Sequence, residues 1–189
     1  MDVFSTTAEF RAHSVYKLPG IKEMKIRKVT PELYVKSSAL LLQTFPNSND
    51  EVQLVEDFHT HETEIHEWVC IHVNKVIAYI AFSNAYNGNE VCGLHLAPLA
   101  VKPEFQGQGV ASELMRFALR QKSIKASTLF VLGDVTFYKK FGFTPCTYPI
   151  CPFDKNNAHF LSMRNTASTK FTVGYESEFS IMPKHNRRK

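Results

Sequence analysis

The stretch Leu94-His95-Leu96-Ala97-Pro98-Leu99-Ala100-Val101-Lys102-Pro103-Glu104-Phe105-Gln106-Gly107-Gln108-Gly109-Val110-Ala111-Ser112 decides the reading of this chain. Its first half is an apolar, strand-like run. Pro98 within it cannot donate to a sheet ladder and predicts a bulge or an unpaired site. In the second half Gly107 and Gly109 precede a helix over 110–121, whose apolar residues Val110, Leu114, Phe117 and Ala118 share one face. A strand thus feeds a glycine-bearing turn, and the turn opens a helix. The first turn of a helix presents N–H groups without intrahelical acceptors, and the aligned peptide dipoles add partial positive charge. Glycine lets the backbone approach an anion closely. Together these features make a pyrophosphate cradle, with Lys102 adding charge nearby.

Three readings compete for this turn. A dinucleotide-binding fingerprint needs G-x-G-x-x-G and an acidic residue about 20 positions on. Here Ser112 takes the third glycine place, and Asp134 follows Gly107 by 27 residues (134 − 107). A P-loop is excluded, since no Gly-Lys-Ser/Thr occurs. The plainest reading is a glycine turn that caps a helix and holds no ligand.

Working outward, Met24-Lys25-Ile26-Arg27-Lys28-Val29 alternates like a first strand, so the folded domain is expected to begin near Met24. Residues 1–23 then form an N-terminal extension, with a turn at Pro19-Gly20 and with Phe4, Phe10, Val15 and Tyr16 available for docking. Thr30-Pro31-Glu32 starts a helix with Val35, Ala39, Leu42 and Phe45 at helical spacing. Ser48 and Glu51 make a capping box for a second helix, whose stripe is Val52, Val55 and Phe58. Strand-like runs at 68–73 and 76–82 flank Asn74-Lys75, the length of a hairpin turn, and 84–89 is a second turn before a strand over about 91–101. Downstream, 128–132 reads as a short buried strand, Gly133-Asp134 opens a helix that closes at Phe141-Gly142-Phe143, and 159–163 and 171–175 are further strand candidates. Residues 183–189 form a basic tail. The order predicts a mixed sheet flanked by helices, of the α/β or α+β kind.

Composition narrows the function classes. The chain has 189 residues, 44% hydrophobic and 21% charged, which suits one globular domain. Its net charge of +4 fits an anionic ligand without demanding nucleic acid. No run approaches the roughly 20 apolar residues of a membrane span, and the first residues hold neither a basic n-region nor an apolar h-region, so a cytoplasmic location is expected. Cys70, Cys92, Cys146 and Cys151 form no C-x-x-C pair and are expected as free thiols, the last two bracketing a structural Pro-bearing loop. No metal is expected, because His59, His61 and His66 lack a coherent ligand spacing.

The run Leu99-Ala100-Val101-x-Pro103-x-x-Gln106-x-x-Gly109-x-Ala111 resembles the acetyl-CoA-binding motif of the GNAT superfamily of N-acetyltransferases, with Gln106, Gly109 and Ala111 in its Arg/Gln, Gly and Gly/Ala places. Phe137-Tyr138-Lys139-Lys140-Phe141-Gly142-Phe143 is similar to the family's second signature, a Tyr on a helix followed by Gly-Phe. Val131-Leu132-Gly133-Asp134 and Val173-Gly174-Tyr175-x-x-Glu178-Phe179 are similar to a bacterial subgroup. The resemblance covers roughly residues 24–182. It implies a GNAT-type mixed, mostly antiparallel sheet with splayed central strands.

It further implies acetyl-CoA as cosubstrate and acetyl transfer to a primary amine by direct attack in a ternary complex. Pantetheine would lie along Leu99, Ala100 and Val101, and the pyrophosphate would meet the amides of Gln106, Gly107, Gln108, Gly109, Val110, Ala111 and Ser112. A backbone N–H near Leu99 would stabilise the developing oxyanion. Tyr138 would give the departing thiolate a proton or a strong hydrogen bond, its alternative being core packing. Many members carry a Glu two residues before the Leu99 position, and here that residue is Ala97. His95, on the same strand face, is then a candidate proton acceptor, with Glu90 or an ordered water as the others and a satisfied sheet histidine as the alternative. Glu62, Glu64 and Glu67 fall where the family places part of its acceptor pocket, either to attract a cationic amine or as a solvated loop. The expected partner is a small-molecule or protein amine, with no membrane or nucleic acid and with a homodimer left open. A non-catalytic acyl-CoA-binding or regulatory module on the same fold is the rival reading, and Ala97 is its main support.

Overall fold

The computed structural model describes residues 14–18 and 21–180; the expectations for the Pro19-Gly20 turn, for Phe4 and Phe10, and for the basic tail lie outside the described residues. Strands β1 (Ser14–Leu18), β2 (Ile21–Lys28), β3 (His66–His72), β4 (Lys75–Asn87), β5 (Glu90–Val101), β6 (Leu129–Leu132), β7 (Thr144–Pro145) and β8 (Phe160–Met163) make one sheet. Their order is β1-β2-β3-β4-β5-β6-β8-β7, and every pair is antiparallel except β5 with β6. Helices α1 (Tyr34–Thr44), α2 (Asp50–Thr60), α3 (Val110–Leu119) and α4 (Val135–Lys139) complete the mixed fold.

Helices cover both faces of the sheet. On one face Trp68, Ile80, Phe82, Leu94 and Leu96 pack with Leu114, Phe117 and Ala118 of α3 and with Tyr138 of α4. On the other, Val69, Tyr79, Ala81 and Ala100 pack with Leu40 and Leu41 of α1 and Val52 and Val55 of α2. A strand buried on both faces has no polar side to present, which is why residues 76–82 form an unbroken apolar run. The expected faces of α3 and α2 are the buried ones.

Several boundaries differ from expectation. The strand expected from Met24 begins at Ile21, and β1 lies within the stretch expected to be an appendage. Val35, Ala39 and Leu42 of α1 face solvent, while Leu33, Ser37, Leu40 and Leu41 are buried. The segment carries two stripes at helical spacing, and the one holding three leucines buries more apolar surface. The β3–β4 turn is Val73-Asn74, both at positive φ (45° and 59°), one residue earlier than expected. A two-residue turn of that hand matches the twist of its strands, and Asn tolerates the left-handed region. β4 continues to Asn87, so the next turn is confined to Gly88-Asn89. Residues 171–175 form single bridges, Ile150 to Thr172 and Tyr86 to Gly174, instead of a strand.

Two irregularities place the site. β5 pairs with β6 only at Leu94–Leu129 and His95–Phe130, then runs on to Val101 against β4 alone. Within that free run Leu96 faces Phe82 and Leu99 faces Ile80, so Ala97 and Pro98 stand against the single residue Ala81. This is a bulge at the proline, next to a splay between the central strands.

Candidate active site

The splay leaves backbone groups open along β5. Lys102 N–H donates to Ile77 O at 2.9 Å. Antiparallel ladders alternate between bonded and non-bonded pairs, so Ala100 bonds toward β4, while Leu99 and Val101 turn their N–H and C=O groups into the splay. The Val101 carbonyl accepts from Gln106 Nε2 at 2.9 Å, which pins the following turn to the strand end.

The turn itself is a row of open donors. Gln106 N–H is committed to Pro103 O at 3.2 Å, and Glu113 N–H donates to Gly109 O at 3.0 Å. Between them the amides of residues 107–112 have no hydrogen-bond acceptor among the described residues. Gly107 (φ 71°) and Gly109 (φ 87°) hold the left-handed backbone that turns these groups toward one another, and Gly109 is the N-cap of α3. An amide row at a ten-residue helix start is a fit place for a diphosphate. Lys102 Nζ pairs with Glu104 at 2.7 Å, and this hydrogen bond holds the Glu104 carboxyl below its usual range.

Tyr138 lies on the α3 face of the sheet, in the cluster that holds Leu96 and, at its margin, Leu99. α4 is positioned by Asp134, whose carboxylate accepts from Phe137 N–H at 2.7 Å. The Tyr138 ring stands edge-on to Phe137 and Phe143, and a Cβ at Gly133 would lie 2.7 Å from its Cε2, so the phenol packs tightly there. Burial, with the charge of Asp134 adding to it, pushes the phenol well up, so it stays protonated. Its hydroxyl has no hydrogen-bond partner among the described residues.

His95 lies on the opposite face of β5. It is 2% exposed, stacks on Tyr175 at 3.6 Å, and donates from Nε2 to Gly174 O at 3.2 Å. Burial pushes its pKa down to about 3. Of the two sequence readings, proton acceptor or sheet histidine, this setting favours the second. Glu90 is exposed at the far end of β5, seven residues from Ala97 (97 − 90).

Glu67 is not part of a solvated loop. β3 starts at His66, and Glu67 is 5% exposed, accepting from Tyr79 Oη at 2.7 Å and bonding His59 Nε2 at 3.0 Å. Glu178 is likewise buried, held by Thr63, Ser177 and His61, and these hydrogen bonds lower its pKa against the opposing effect of burial. The strand start explains the miss: extending β3 back two residues puts Glu67 on the Val69 face. Glu62 and Glu64 are exposed, as a solvated loop requires. The four cysteines are free thiols, three of them buried. Among the described residues no group of three or more His, Cys, Asp or Glu side chains is placed to hold a metal, and no helix is long and apolar enough to cross a membrane.

Comparisons with known proteins extend this picture. The model of the acetyltransferase (GNAT) domain family matches residues 63–145. The uncharacterized N-acetyltransferase YjhQ of Escherichia coli K12 is 41% identical over 76 residues, 38% of this chain and 42% of that protein. The chain thus spans less than half the length of the curated relatives it matches, YhbS of the same organism also being covered over 42%. The crystal structure of E. coli YhbS in complex with CoA superposes with a TM-score of 0.76 at 26% identity, covering 89% of this chain and 96% of that one. A GNAT family acetyltransferase from Brucella melitensis in complex with acetyl-CoA gives 0.69 at 25% identity, covering 82% and 97%. The similarity runs through the glycine turn in sequence and through most of the chain in fold: residues 63–145 are similar to the GNAT acetyltransferase domain, and the fold is similar to that of GNAT family acetyltransferases.

Proposed function

We propose that the protein is an acetyl-CoA-dependent N-acetyltransferase, which moves an acetyl group to a primary amine by direct attack in a ternary complex. The observation that carries this reading is the row of acceptor-free amides at residues 107–112, continuous with the strand edge left open at Leu99. The complexes of the E. coli and B. melitensis neighbours, with CoA and acetyl-CoA, support the same class of ligand.

Acetyl-CoA, when bound, supplies the thioester. The amides of Gly107, Gln108, Gly109, Val110, Ala111 and Ser112 bind its diphosphate, and Gln106 keeps the turn closed on Val101. Leu99 and Val101 extend the sheet edge to the pantetheine amides, while Ala100 holds β5 to β4. A Leu99 N–H aimed at the thioester oxygen stabilises the charge that develops there. Tyr138 donates a hydrogen bond to the leaving sulfur. A thiol ordinarily has a pKa near ~8.5, well below this buried phenol, so Tyr138 steadies the thiolate while keeping its own proton. Holding amine and thioester in register supplies much of the acceleration.

Isothermal titration with acetyl-CoA, followed by mass spectrometry of a panel of primary amines, tests the proposal. Saturable binding and an N-acetylated product are expected. Absence of binding at millimolar acetyl-CoA overturns it, and binding without product from any amine points to a non-catalytic acyl-CoA module.

A further inference from the structure

An ammonium group must lose a proton before it can attack a thioester, since alkyl amines have pKa values near ~10.4. Ala97 has no proton-accepting group, and His95 is 2% exposed, closed in by the Tyr175 ring stacked on it. Resting on the function proposed above, we propose that His59, oriented by Glu67, accepts the proton of the incoming amine.

His59 occupies the last turn of α2, and its Nε2 lies 3.0 and 3.1 Å from the two carboxylate oxygens of Glu67. A carboxylate in that position accepts, so in the neutral ring Nε2 carries the proton and Nδ1 holds the open lone pair. Nδ1 has no partner among the described residues, and it is not one of the buried polar atoms left without one. The ring orientation is fixed twice, by Glu67 and by Tyr34, stacked on it at 3.6 Å and 10°. Glu67 is fixed in turn by Tyr79, which is fully buried. A base held by a third group is the arrangement that proton abstraction requires.

Its place in the fold fits this role. Glu67 faces Ala81 across β3 and β4, and Ala81 faces the bulge at Ala97 and Pro98. Carboxylate and bulge are thus two strand spacings apart, about 10 Å, on the face covered by α2. Phe58, the residue before His59, packs in the same cluster as Ala97. Ala81, which is fully buried, and Ala97 are the small residues that lie between the Glu67 position and the splay. Tyr34 faces the ring from α1, Glu67 from β3 and Tyr79 from β4. Burial and the Glu67 charge push both phenols up, so they remain neutral. Arg27 of β2 is engaged by Glu32 at 2.8 Å, and Glu178 by Thr63 and His61.

The step balances. Nδ1 takes one proton from the ammonium, and the freed lone pair forms the C–N bond as the C–S bond breaks. A second proton passes from nitrogen to the departing sulfur, and His59 returns the first to water. The products are an amide, a thiol and one proton.

Transfer from acetyl-CoA to ethylamine, and to O-methylhydroxylamine as a nucleophile already neutral at pH 7, tests the assignment in His59→Gln and Glu67→Gln. Both variants should bind acetyl-CoA as the wild type does. His59→Gln should lower kcat for ethylamine by about 100-fold and much less for O-methylhydroxylamine. Glu67→Gln, which keeps the shape and carries the test if His59→Gln does not fold, should lower kcat for ethylamine more than for O-methylhydroxylamine, because an amide can donate as well as accept and no longer holds the Nε2–H tautomer. If the wild type transfers to ethylamine and both variants match its rate, the His59 assignment is overturned and the N-acetyltransferase reading stands. If the wild type binds no acetyl-CoA, the reading beneath it falls.

Discussion

Tyr138 and Ser37 show how differently single buried hydroxyls behave in this fold. The Tyr138 hydroxyl is kept neutral by burial and has no partner among the described residues, which suits a group that donates only to a leaving sulfur. Tyr138→Phe keeps the ring packing against Phe137 and Phe143, so it should lower kcat by about 100-fold and leave acetyl-CoA affinity within about twofold, read from steady-state rates and calorimetry. Ser37 is fully buried on α1, with no partner for its Oγ among the described residues. A buried hydroxyl without a hydrogen bond costs stability, and alanine is the better helix former. Ser37→Ala should therefore raise the unfolding free energy by about 1 kcal/mol in urea titration; a loss of stability would mean that the hydroxyl has a partner. Tyr138 was legible because a motif names it. Glu67 was not, since only the true start of β3 tells a buried carboxylate from one in a charged loop.

At the scale of elements, the turn into α3 carries most of the account. Gly109 sits at φ 87° as the helix N-cap, and a Cβ there would meet only Leu18, at 3.6 Å or more. The obstacle to a side chain is backbone strain, on the order of 1–2 kcal/mol for a left-handed non-glycine residue. Gly109→Val should lower stability by about that amount and weaken acetyl-CoA binding at least tenfold, because relief of the strain rotates the neighbouring amides. Differential scanning fluorimetry and calorimetry separate the two effects. α3 was readable because it has one apolar stripe, and the bulge was readable because proline cannot join a ladder. α1 was not, since Val35, Ala39 and Leu42 compete with Leu33, Leu40 and Leu41, and only docking on the sheet chooses between them. The β3–β4 turn depended on which residues accept positive φ, and Val73 is a poor advertisement for that.

For the whole molecule, the one parallel pairing among the described strands opens the splay: an antiparallel run from β1 to β5 meets β6 over two residues and then separates. The mixed sheet was legible in the order of elements, whereas the two-residue β7 and the bridges of Thr172 and Gly174 have no periodic signal to find. The seam where Gly174 crosses also contributes to the acid stability. His95 is neutral when folded and has a pKa of about 3, against about 6.5 when unfolded. The unfolded chain therefore binds the extra proton between those values. The stabilisation is complete above pH ~6.5 and is lost as pH falls toward 3, with a slope on the order of 1.4 kcal/mol per pH unit. His95→Asn should flatten that slope in chemical denaturation from pH 7 to 4; an unchanged slope would place the acid sensitivity elsewhere.

A crystal structure with coenzyme A bound is the most direct test of the account. Diphosphate oxygens within hydrogen-bond distance of the amides of residues 107–112, with the thiol beside the Tyr138 hydroxyl, is the predicted result. Coenzyme A seated away from that turn, or a thiol on the face opposite Tyr138, would contradict it.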